Sequence, residues 1–414
     1  MQIFIIGAGK SATHIIDYLS AVSGQLGIKV KVADTNASNL ELRCAGKLCE
    51  QILLTTGTID ELAEHIQSAF IVVSMLPPAL HVSVAKICLE SKSHLITPSY
   101  TSDDMQLLHE KAKVANLIFL NEMGLDPGID HMCCLKIIDE YQSKGAKIHS
   151  LKSHCGALIS AKSDTNLWHY KISWNPRNVV LAGAGNDYIK YRANGEDVLL
   201  KYEELFAHTM KIKVGEDSFE SYPNRDSLKY EKLYHIDGIE TLYRGTLRIP
   251  AYCKAWNKLV NFGATSTQSP FPKIERSDVE IDEEVLAMFE ELGVFELYQN
   301  KGNACDVLQQ AIESKWKMLN HDIDRVVMIH EIEIEENGVR KQIQSSMILD
   351  GDDQLHTALS KTVGLPIAFA AELIIQNEIA DRGVLMPLSA ELYNPILNKL
   401  EAFGVRFKEV IIEQ

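Results

Sequence analysis

The first twelve residues constrain the fold of this chain more than any other segment. Met1–Ile6 is an apolar run typical of a buried strand, and the residues Gly7-Ala8-Gly9-Lys10-Ser11-Ala12 follow it directly. A strand, a glycine turn and a helix start in this order form the GxGxxA pattern of a dinucleotide-binding unit. Gly7 permits the tight turn, Gly9 lets the backbone approach a pyrophosphate, and Ala12 lets the helix pack closely on the strand. The N–H groups at the helix start are then available to phosphate.

A second strand, 28–33, follows a helix predicted over about Ser11 to Val22 and ends in Asp34. A carboxylate at this position accepts hydrogen bonds from the ribose hydroxyls of the adenosine. The sequence therefore predicts an NAD(P) site. The residues Gly9-Lys10-Ser11 also resemble the end of a P-loop, but that pattern requires glycine where Phe4 stands, so an NTPase loop is excluded.

Strand and helix patterns alternate over the rest of the first third of the chain. Buried strands are predicted at Phe70–Ser74, His94–Thr97 and Leu117–Leu120, with helices at about Ala79–Glu90 and Ser102–Ala115 between them. Continuous apolar strands separated by amphipathic helices indicate a Rossmann-type, doubly wound parallel sheet of the α/β class. Ligands of such sheets bind beyond the carboxyl ends of the strands. The candidate cofactor-binding residues are therefore Gly7, Ala8, Gly9, Lys10, Ser11, Ala12, Asp34, Thr35, Ser74, Leu76 and Pro77.

The pattern changes after Asp130. Strands are predicted at Lys147–Cys155 and Val326–Glu335, and a turn at Asn337-Gly338 leads to a partner strand around Ile348. This predicts a second domain with an antiparallel, half-exposed sheet. A helical insertion is predicted at about 277–319. An apolar helix at Ile367–Asn377 and a last strand at Val405–Ile412 are expected to return to the first domain.

Composition excludes several classes of protein. A net charge of −15 argues against nucleic acid as a partner. The most apolar stretch, Phe70–Val84, is too short to span a bilayer, so we expect no membrane partner. The eight cysteines form no CxxC or Cys/His cluster with zinc spacing, so we expect no metal site and reduced thiols in a cytoplasmic protein.

The segment Asn121–His131 follows a buried strand and opens a helix. Asp126 is predicted to cap this helix with Pro127 as its first residue, and the same carboxylate faces the nicotinamide end of the crevice. The predicted loops Thr97–Tyr100 and Ser153–Gly156 add polar groups. His154 is expected on a strand surface, and Cys155 is either a small core residue or a functional thiol.

Two segments combine arginine with a defined local geometry. Tyr222–Ser227 is rich in turn formers and carries Arg225, whereas the alternation in Leu242–Arg248 places Arg244, Thr246 and Arg248 on one strand face. Arginine binds carboxylates through two parallel hydrogen bonds. The segments therefore indicate either a carboxylate-binding site or surface ion pairs in an acidic protein.

Five ordered segments resemble the glutamate-forming saccharopine dehydrogenases, also called saccharopine reductases. They are Asn121–His131, Lys171–Trp174, Tyr222–Ser227, Arg244–Arg248 and Asp381–Leu385. The resemblance covers nearly the whole chain. It implies a Rossmann domain of residues 1–125 plus about 366–414, a mixed-sheet α+β domain of residues 126–365 that carries substrate and homodimer contacts, and the small helical insertion at about 277–319.

The same resemblance implies that saccharopine binds across the domain cleft and is oxidised at its secondary amine by a nicotinamide cofactor. Hydrolysis of the resulting imine gives L-glutamate and 2-aminoadipate 6-semialdehyde. The substrate-binding residues implied are Ser99, Tyr100, Asp126, Trp174, Arg225, Arg244 and Thr246. Asp126, Tyr100 and Cys155 are the candidates for catalytic acid and base, and the sequence does not choose between them.

Asp34 departs from the pattern of NADPH-using relatives, because a carboxylate repels a 2′-phosphate. It favours NAD as cofactor, with NADP possible.

Two alternatives remain open for the function. One is a related dehydrogenase acting on carboxynorspermidine or lysine, whose substrate has fewer carboxylates. The other is a regulatory protein that binds the cofactor without turnover.

Overall fold

The computed structural model describes residues 1–185, 188–279 and 281–413, which form two compact units. Unit 1 comprises Met1–Asp139 and Leu355–Arg406, and unit 2 comprises Glu140–Gln354 and Phe407–Gln414. The chain therefore changes unit after residues 139, 354 and 406.

The strands are, in chain order, β1 (Gln2–Ile6), β2 (Lys29–Asp34), β3 (Glu50–Leu53), β4 (Ile71–Ser74), β5 (His94–Ile96), β6 (Ile118–Leu120), β7 (Lys147–Ile159), β8 (Tyr188–Ala193), β9 (Glu196–Lys201), β10 (Met210–Val214), β11 (Asp217–Pro223), β12 (Thr241–Arg248), β13 (Asp324–Glu336), β14 (Val339–Asp350), β15 (Gly383–Leu385) and β16 (Lys408–Glu413).

The α-helices are α1 (Thr13–Leu26), α2 (Ala37–Cys44), α3 (Ile59–Ile66), α4 (Pro78–Ser91), α5 (Asp103–Gln106), α6 (His109–Val114), α7 (Ile129–Ser143), α8 (Pro176–Leu181), α9 (Tyr230–Leu233), α10 (Pro250–Asn261), α11 (Glu283–Leu292), α12 (Ala304–Lys315), α13 (Ala358–Ile375) and α14 (Ala390–Ala402).

Unit 1 contains a seven-stranded sheet in the order β15-β6-β5-β4-β1-β2-β3. Every neighbouring pair in it is parallel. The predicted Rossmann-type sheet is confirmed. In the register Ile6 pairs with both Ala33 and Ser74, so β1, β2 and β4 end side by side. This edge is where the cofactor residues were predicted.

Helix α13 is the most apolar helix of unit 1 and begins nine residues earlier than the predicted Ile367, because Thr357 caps it through a hydrogen bond from the Ser360 N–H (2.9 Å). It lies so close to α1 that a Cβ on Gly364 would be 2.8 Å from the Ile15 nitrogen. Among the described residues, α13 is the one helix whose length and composition would allow it to cross a membrane, and 83% of it is buried in the protein. Core helices of soluble proteins commonly share that composition.

Three predicted details of unit 1 differ in the structure. The helix after the glycine turn begins as a 3-10 helix at Lys10–Ala12 and continues as α1 to Leu26, where Gly27 in the left-handed conformation ends it. The predicted helix 102–115 is two short helices, α5 and α6. Helix α7 begins at Ile129, so Pro127 is not its first residue and the predicted cap at Asp126 is wrong.

Unit 2 contains a nine-stranded mixed sheet, in which β10-β11-β12-β7-β13-β14-β16 are neighbours and β8 pairs with both β12 and β9. Strands β12 and β7 are parallel, and β13 and β14 form the predicted hairpin. The last strand, β16, pairs with β14 and not with the first sheet as expected. In this antiparallel pair Lys341 lies opposite Glu413 and Ser346 lies opposite Lys408.

Tryptophan and tyrosine side chains dominate the core of unit 2. Trp168, Trp256 and Trp316 pack with Tyr170 and Tyr252 at ring-centroid distances of 5.2–6.2 Å. Helices α11 and α12 of the predicted insertion bury their apolar faces in the same cluster. Aromatic pairs at these distances add about 1 kcal/mol each to simple burial.

Candidate functional site

The glycine turn of unit 1 has the geometry that a dinucleotide phosphate requires. Gly7 adopts φ +101°, and its N–H donates to the Ala33 carbonyl at 2.8 Å. A Cβ on Gly7 would lie 3.2 Å from the Met75 carbonyl oxygen, whereas a Cβ on Gly9 would meet nothing within 4 Å. Glycine is therefore required at position 7 by the backbone of the turn and the nearby Met75, whereas Gly9 leaves open space in front of the helix start. That space, with the first N–H groups of the helix, fits a pyrophosphate.

Asp34 ends β2 beside this turn. Its Oδ2 accepts a hydrogen bond from the Ala8 N–H at 2.7 Å, and its Oδ1 accepts one from the Asn36 N–H at 2.8 Å. The carboxylate is thus held in place while it remains partly exposed to solvent. Arg43, buried at the end of α2, is electrostatically coupled to Asp34, although burial lowers its pKa. The arrangement fits the adenosine ribose of NAD(P).

The other predicted cofactor residues lie at the same strand ends. Ser74 is the buried last residue of β4, and Pro77 immediately precedes α4. Leu76 packs against the apolar core of unit 1, whereas Thr35 is exposed next to Asp34. In the 3-10 helix, Lys10 is exposed, Ser11 is partly exposed and Ala12 is buried.

The structure brings Tyr100 and Asp126 together. The Tyr100 hydroxyl donates to Asp126 Oδ1 at 2.7 Å, so the side chain predicted to cap a helix is bonded to a phenol instead. Both residues lie on the loops that follow β5 and β6. Such a pair can pass a proton between a phenol and a carboxylate, or hold a carboxylate in place beside a cationic amine.

The sequence reasoning missed His81, which lies in the first turn of α4. Its Nδ1 is 2.9 Å from Ser74 Oγ, and its Nε2 is 2.8 Å from Ser99 Oγ and 2.9 Å from Thr97 Oγ1. The residue is only 4% exposed, and burial lowers its pKa to about 4. The imidazole is therefore neutral at physiological pH. A lone histidine in an apolar helix carries no sequence signal for this role.

A second missed group is the buried set Glu122, Asp130 and His131. His131 Nε2 lies 2.8 Å from Glu122 Oε2, and its Nδ1 lies 3.7 Å from Asp130 Oδ2. Glu122 has φ +58° and also accepts a hydrogen bond from the Thr101 N–H at 2.9 Å, next to Tyr100. The sequence signal that could have identified this group is the presence of three ionisable residues in one segment that follows a buried strand. The group ties the Tyr100 loop to the Asp126 loop.

In unit 2 the predicted residues of β12 lie beside those of β7 and β11. Thr246 pairs with Cys155 on one side and with Tyr222 on the other. Cys155 is buried within β7, which runs to Ile159, so the predicted loop at Ser153–Gly156 is strand. His154 is fully buried and not a surface residue, and its Nδ1 lies 2.8 Å from Ser221 Oγ.

Arg244 is buried, with 3% of its surface exposed, and its guanidinium lies 4.4 Å from the centre of the Tyr230 ring. Its carbonyl accepts a hydrogen bond from the Asn224 N–H at 2.8 Å, which places the turn carrying Arg225 next to it. Arg225 itself is exposed and has φ +57°. A non-glycine residue in this backbone region is uncommon and is often found at functional sites.

Trp174 and Arg248 meet at Tyr170. The Trp174 Nε1–H donates to the Tyr170 hydroxyl at 2.9 Å, and the Arg248 guanidinium lies 4.9 Å from the Tyr170 ring centre. Lys171, between the two aromatic residues, forms a buried ion pair with Asp322 at 2.8 Å. Within the described ranges, no group of three or more His, Cys, Asp or Glu side chains is placed to hold a metal ion.

Comparison with known proteins agrees with this geometry. Residues 3–120 match the saccharopine dehydrogenase NADP binding domain, and residues 124–405 match the saccharopine dehydrogenase C-terminal domain. The chain is 30% identical to the NADP(+)-dependent, L-glutamate-forming saccharopine dehydrogenase of Saccharomyces cerevisiae, covering 99% of this chain and 98% of the yeast protein.

It is also 32% identical to alpha-aminoadipic semialdehyde synthase of Arabidopsis thaliana, over 98% of this chain but only 44% of the plant protein. Among solved structures, the apo saccharopine dehydrogenase (L-Glu forming) from Saccharomyces cerevisiae superposes with a TM-score of 0.88 at 28% identity, covering 99% of both chains. The resemblance inferred from five motifs is confirmed, and this chain belongs to the saccharopine dehydrogenase family.

Proposed function

We propose that this protein is an NAD(P)-dependent, L-glutamate-forming saccharopine dehydrogenase. The observation that carries the proposal is the buried guanidinium of Arg244 beside the turn of Arg225, on a chain whose other unit holds a complete dinucleotide turn. Arginine binds carboxylates through two parallel charge-assisted hydrogen bonds, so a buried guanidinium next to a second arginine suits a dicarboxylate or tricarboxylate substrate. Saccharopine has three carboxylates.

Different residues of the chain have different roles in this reaction. Arg244 and Arg225 bind substrate carboxylates, and Thr246 and Ser99 supply neutral hydrogen bonds that orient the substrate. Trp174, whose Nε1–H is donated to Tyr170, supplies the surface of its ring. The nicotinamide cofactor, when bound, supplies a hydride acceptor for the carbon next to the secondary amine. The amine proton leaves as the imine forms, water adds to the imine carbon, and the carbinolamine breaks its C–N bond to give glutamate and the semialdehyde.

The Tyr100–Asp126 pair is our candidate for the proton transfers. Its hydrogen bond of 2.7 Å and its location at the strand ends support this role. Cys155 is a weaker candidate, because it is buried within β7 and pairs in the sheet with Thr246 and Met328. Cysteine side chains buried in this way usually contribute to packing.

The decisive experiment incubates the purified protein with saccharopine and either NAD or NADP and measures reduced cofactor and glutamate together. Stoichiometric formation of both supports the proposal. Oxidation of carboxynorspermidine or lysine without oxidation of saccharopine would favour the related dehydrogenases. Tight binding of NADH without turnover of any of these substrates would favour a regulatory protein.

We also propose a cytoplasmic homodimer. None of the eight cysteines forms a disulfide in the part of the chain that the structure describes, which suits a reducing compartment. The edge strand β16 exposes apolar side chains, of which Ile411 is 56% exposed, and an unprotected apolar edge is a common pairing surface. Sedimentation velocity of the purified protein measures the state of assembly directly.

We expect wild-type protein to prefer NAD to NADP, in contrast to the NADP(+)-dependent yeast relative. The fixed carboxylate of Asp34 repels a 2′-phosphate, and the Asp34→Ser variant should raise kcat/KM with NADP about tenfold, which corresponds to about 1.4 kcal/mol. Steady-state kinetics with both cofactors check this. A tenfold preference of the wild-type protein for NADP would show that Arg43 or another cation outweighs Asp34.

We expect Asp126→Asn to lower kcat about tenfold to a hundredfold and to change the pH profile of kcat. Asparagine keeps an oxygen that accepts the Tyr100 hydrogen bond but carries no charge. Tyr100→Phe is the matched variant, because it removes the hydrogen bond and leaves the Asp126 charge. If both variants retained wild-type kcat and pH profile while only their melting temperatures changed, the pair would be structural.

A further inference from the structure

His81 connects the ends of two neighbouring strands of unit 1. Ser74 is the last residue of β4, and Thr97 and Ser99 follow β5; all three hydroxyl oxygens lie within 2.9 Å of an imidazole nitrogen of His81. The network therefore connects Ser74, a predicted cofactor-binding residue, with Ser99, a predicted substrate-binding residue. Within the part of the chain that the structure describes, His81 takes part in no ion pair.

The network has a direction, because a neutral imidazole carries one proton. If Nδ1 carries it, Nδ1 donates to Ser74, and a hydroxyl of Ser99 or Thr97 must donate to Nε2. If Nε2 carries it, Ser74 must donate to Nδ1, and the oxygen of Ser99 or Thr97 accepts the hydrogen bond from Nε2. The orientation of the Ser74 hydroxyl is thus linked to that of the hydroxyls at Nε2, those of Ser99 and Thr97, although the two sets bond to different nitrogens of the ring.

We propose that His81 is a positioning residue that orients the Ser99 hydroxyl toward the substrate and links that orientation to Ser74 at the cofactor edge. It does not itself touch a reacting atom. With Nδ1 protonated and the Ser99 hydroxyl as the donor to Nε2, both lone pairs of the Ser99 oxygen are available as acceptors. The chemical group that this end of the site selects is then a hydrogen-bond donor, such as the α-ammonium of an amino acid. This inference rests on the proposed function.

Two substitutions of His81 each keep the hydrogen bonds at one ring nitrogen and remove those at the other. The amide of asparagine at position 81 replaces Nδ1 and keeps a partner for Ser74, whereas that of glutamine reaches the position of Nε2 and keeps a partner for Ser99. We expect His81→Asn to raise the saccharopine KM about fivefold to twentyfold with the Kd for NADH changed less than twofold. His81→Gln should restore most of the KM. Equal KM values for the two variants would overturn the proposal.

A double-mutant cycle tests whether His81 acts through Ser99. In the Ser99→Ala background, the His81→Asn substitution should have little further effect on KM, because the group it orients is gone. Additive effects would show that His81 acts by another route. A lower melting temperature with unchanged KM in both backgrounds would reduce His81 to a structural residue and overturn the proposal.

A spectroscopic readout separates this inference from the proposed function. In protein labelled with ¹⁵N-histidine, the His81 signals are identified by their loss in His81→Asn, and they report the tautomer of the ring without any turnover. We expect one dominant neutral tautomer, which changes in Ser99→Ala and also in Ser74→Ala. A tautomer unaffected by either serine would overturn the link. Failure to oxidise saccharopine would instead leave this result standing and refute only the assigned substrate.

Discussion

Arg244→Ala should raise the KM for saccharopine by roughly 30-fold to several thousand-fold and leave the Kd for NADH nearly unchanged. The substitution removes a charged partner from a desolvated position, which costs about 2–5 kcal/mol. Only 3% of Arg244 is exposed, and its guanidinium lies against Tyr230, so water cannot easily replace it. Initial-rate kinetics give KM, and quenching of bound NADH fluorescence gives Kd.

Three variants sharpen this test. Arg244→Lys keeps the charge but lacks the two parallel donors, so its KM should lie between those of the wild type and Arg244→Ala. Arg225→Ala should raise KM less, because Arg225 is exposed. Arg276→Ala is the control, since Arg276 is an exposed arginine paired with Glu290. Loss of NADH binding in Arg244→Ala with an unchanged saccharopine KM would contradict the assignment.

Asp322→Asn should lower the free energy of unfolding of unit 2 by about 3–5 kcal/mol, because it leaves Lys171 buried without its counter-charge. Lys171 Nζ lies 2.8 Å from both oxygens of Asp322, and both side chains are at least 95% buried. Asp322 also accepts a hydrogen bond from the Leu319 N–H at 2.6 Å. Urea unfolding followed by tryptophan fluorescence reports on this unit, since Trp168, Trp256 and Trp316 lie in its core.

The matched surface pair is Lys254 with Asp282, whose side chains are 49% and 24% exposed. Lys254→Ala should cost less than about 1 kcal/mol. The double variant Lys171→Met/Asp322→Leu should recover most of the stability lost in Asp322→Asn, because neither buried charge remains. A cost of Asp322→Asn no larger than that of Lys254→Ala would mean that water reaches Lys171 in the folded protein.

Local patterns were sufficient to predict the parallel sheet of unit 1. Its strands are continuous apolar runs, and the turn at Gly7 leaves few alternatives for the chain that follows. The hairpin of β13 and β14 was equally predictable, because Asn337-Gly338 favours a tight turn between alternating strands. In both cases the determining interactions lie close together in the sequence.

Interactions between distant residues were not predictable in the same way. The Asp-Pro pair at 126–127 matches a helix start by residue type, but a phenol 26 residues away forms the hydrogen bond that Asp126 accepts. His81 carries no pattern, because its three hydroxyl partners come from two other segments. Strand β16 pairs with β14 more than 60 residues earlier, and nothing in the six residues of β16 identifies that partner.

The three changes of unit along the chain have a consequence for synthesis on the ribosome. Residues 355–406 supply β15 to the first sheet and α13 to the surface of α1, and they emerge only after residues 140–354. In the nascent chain, the β6 edge of the first sheet therefore remains unpaired and α1 remains uncovered by α13 while more than 200 residues are translated. Chaperones that shield apolar surface should be engaged during that interval, and an autonomous dinucleotide-binding unit would require residues 1–139 joined directly to 355–406.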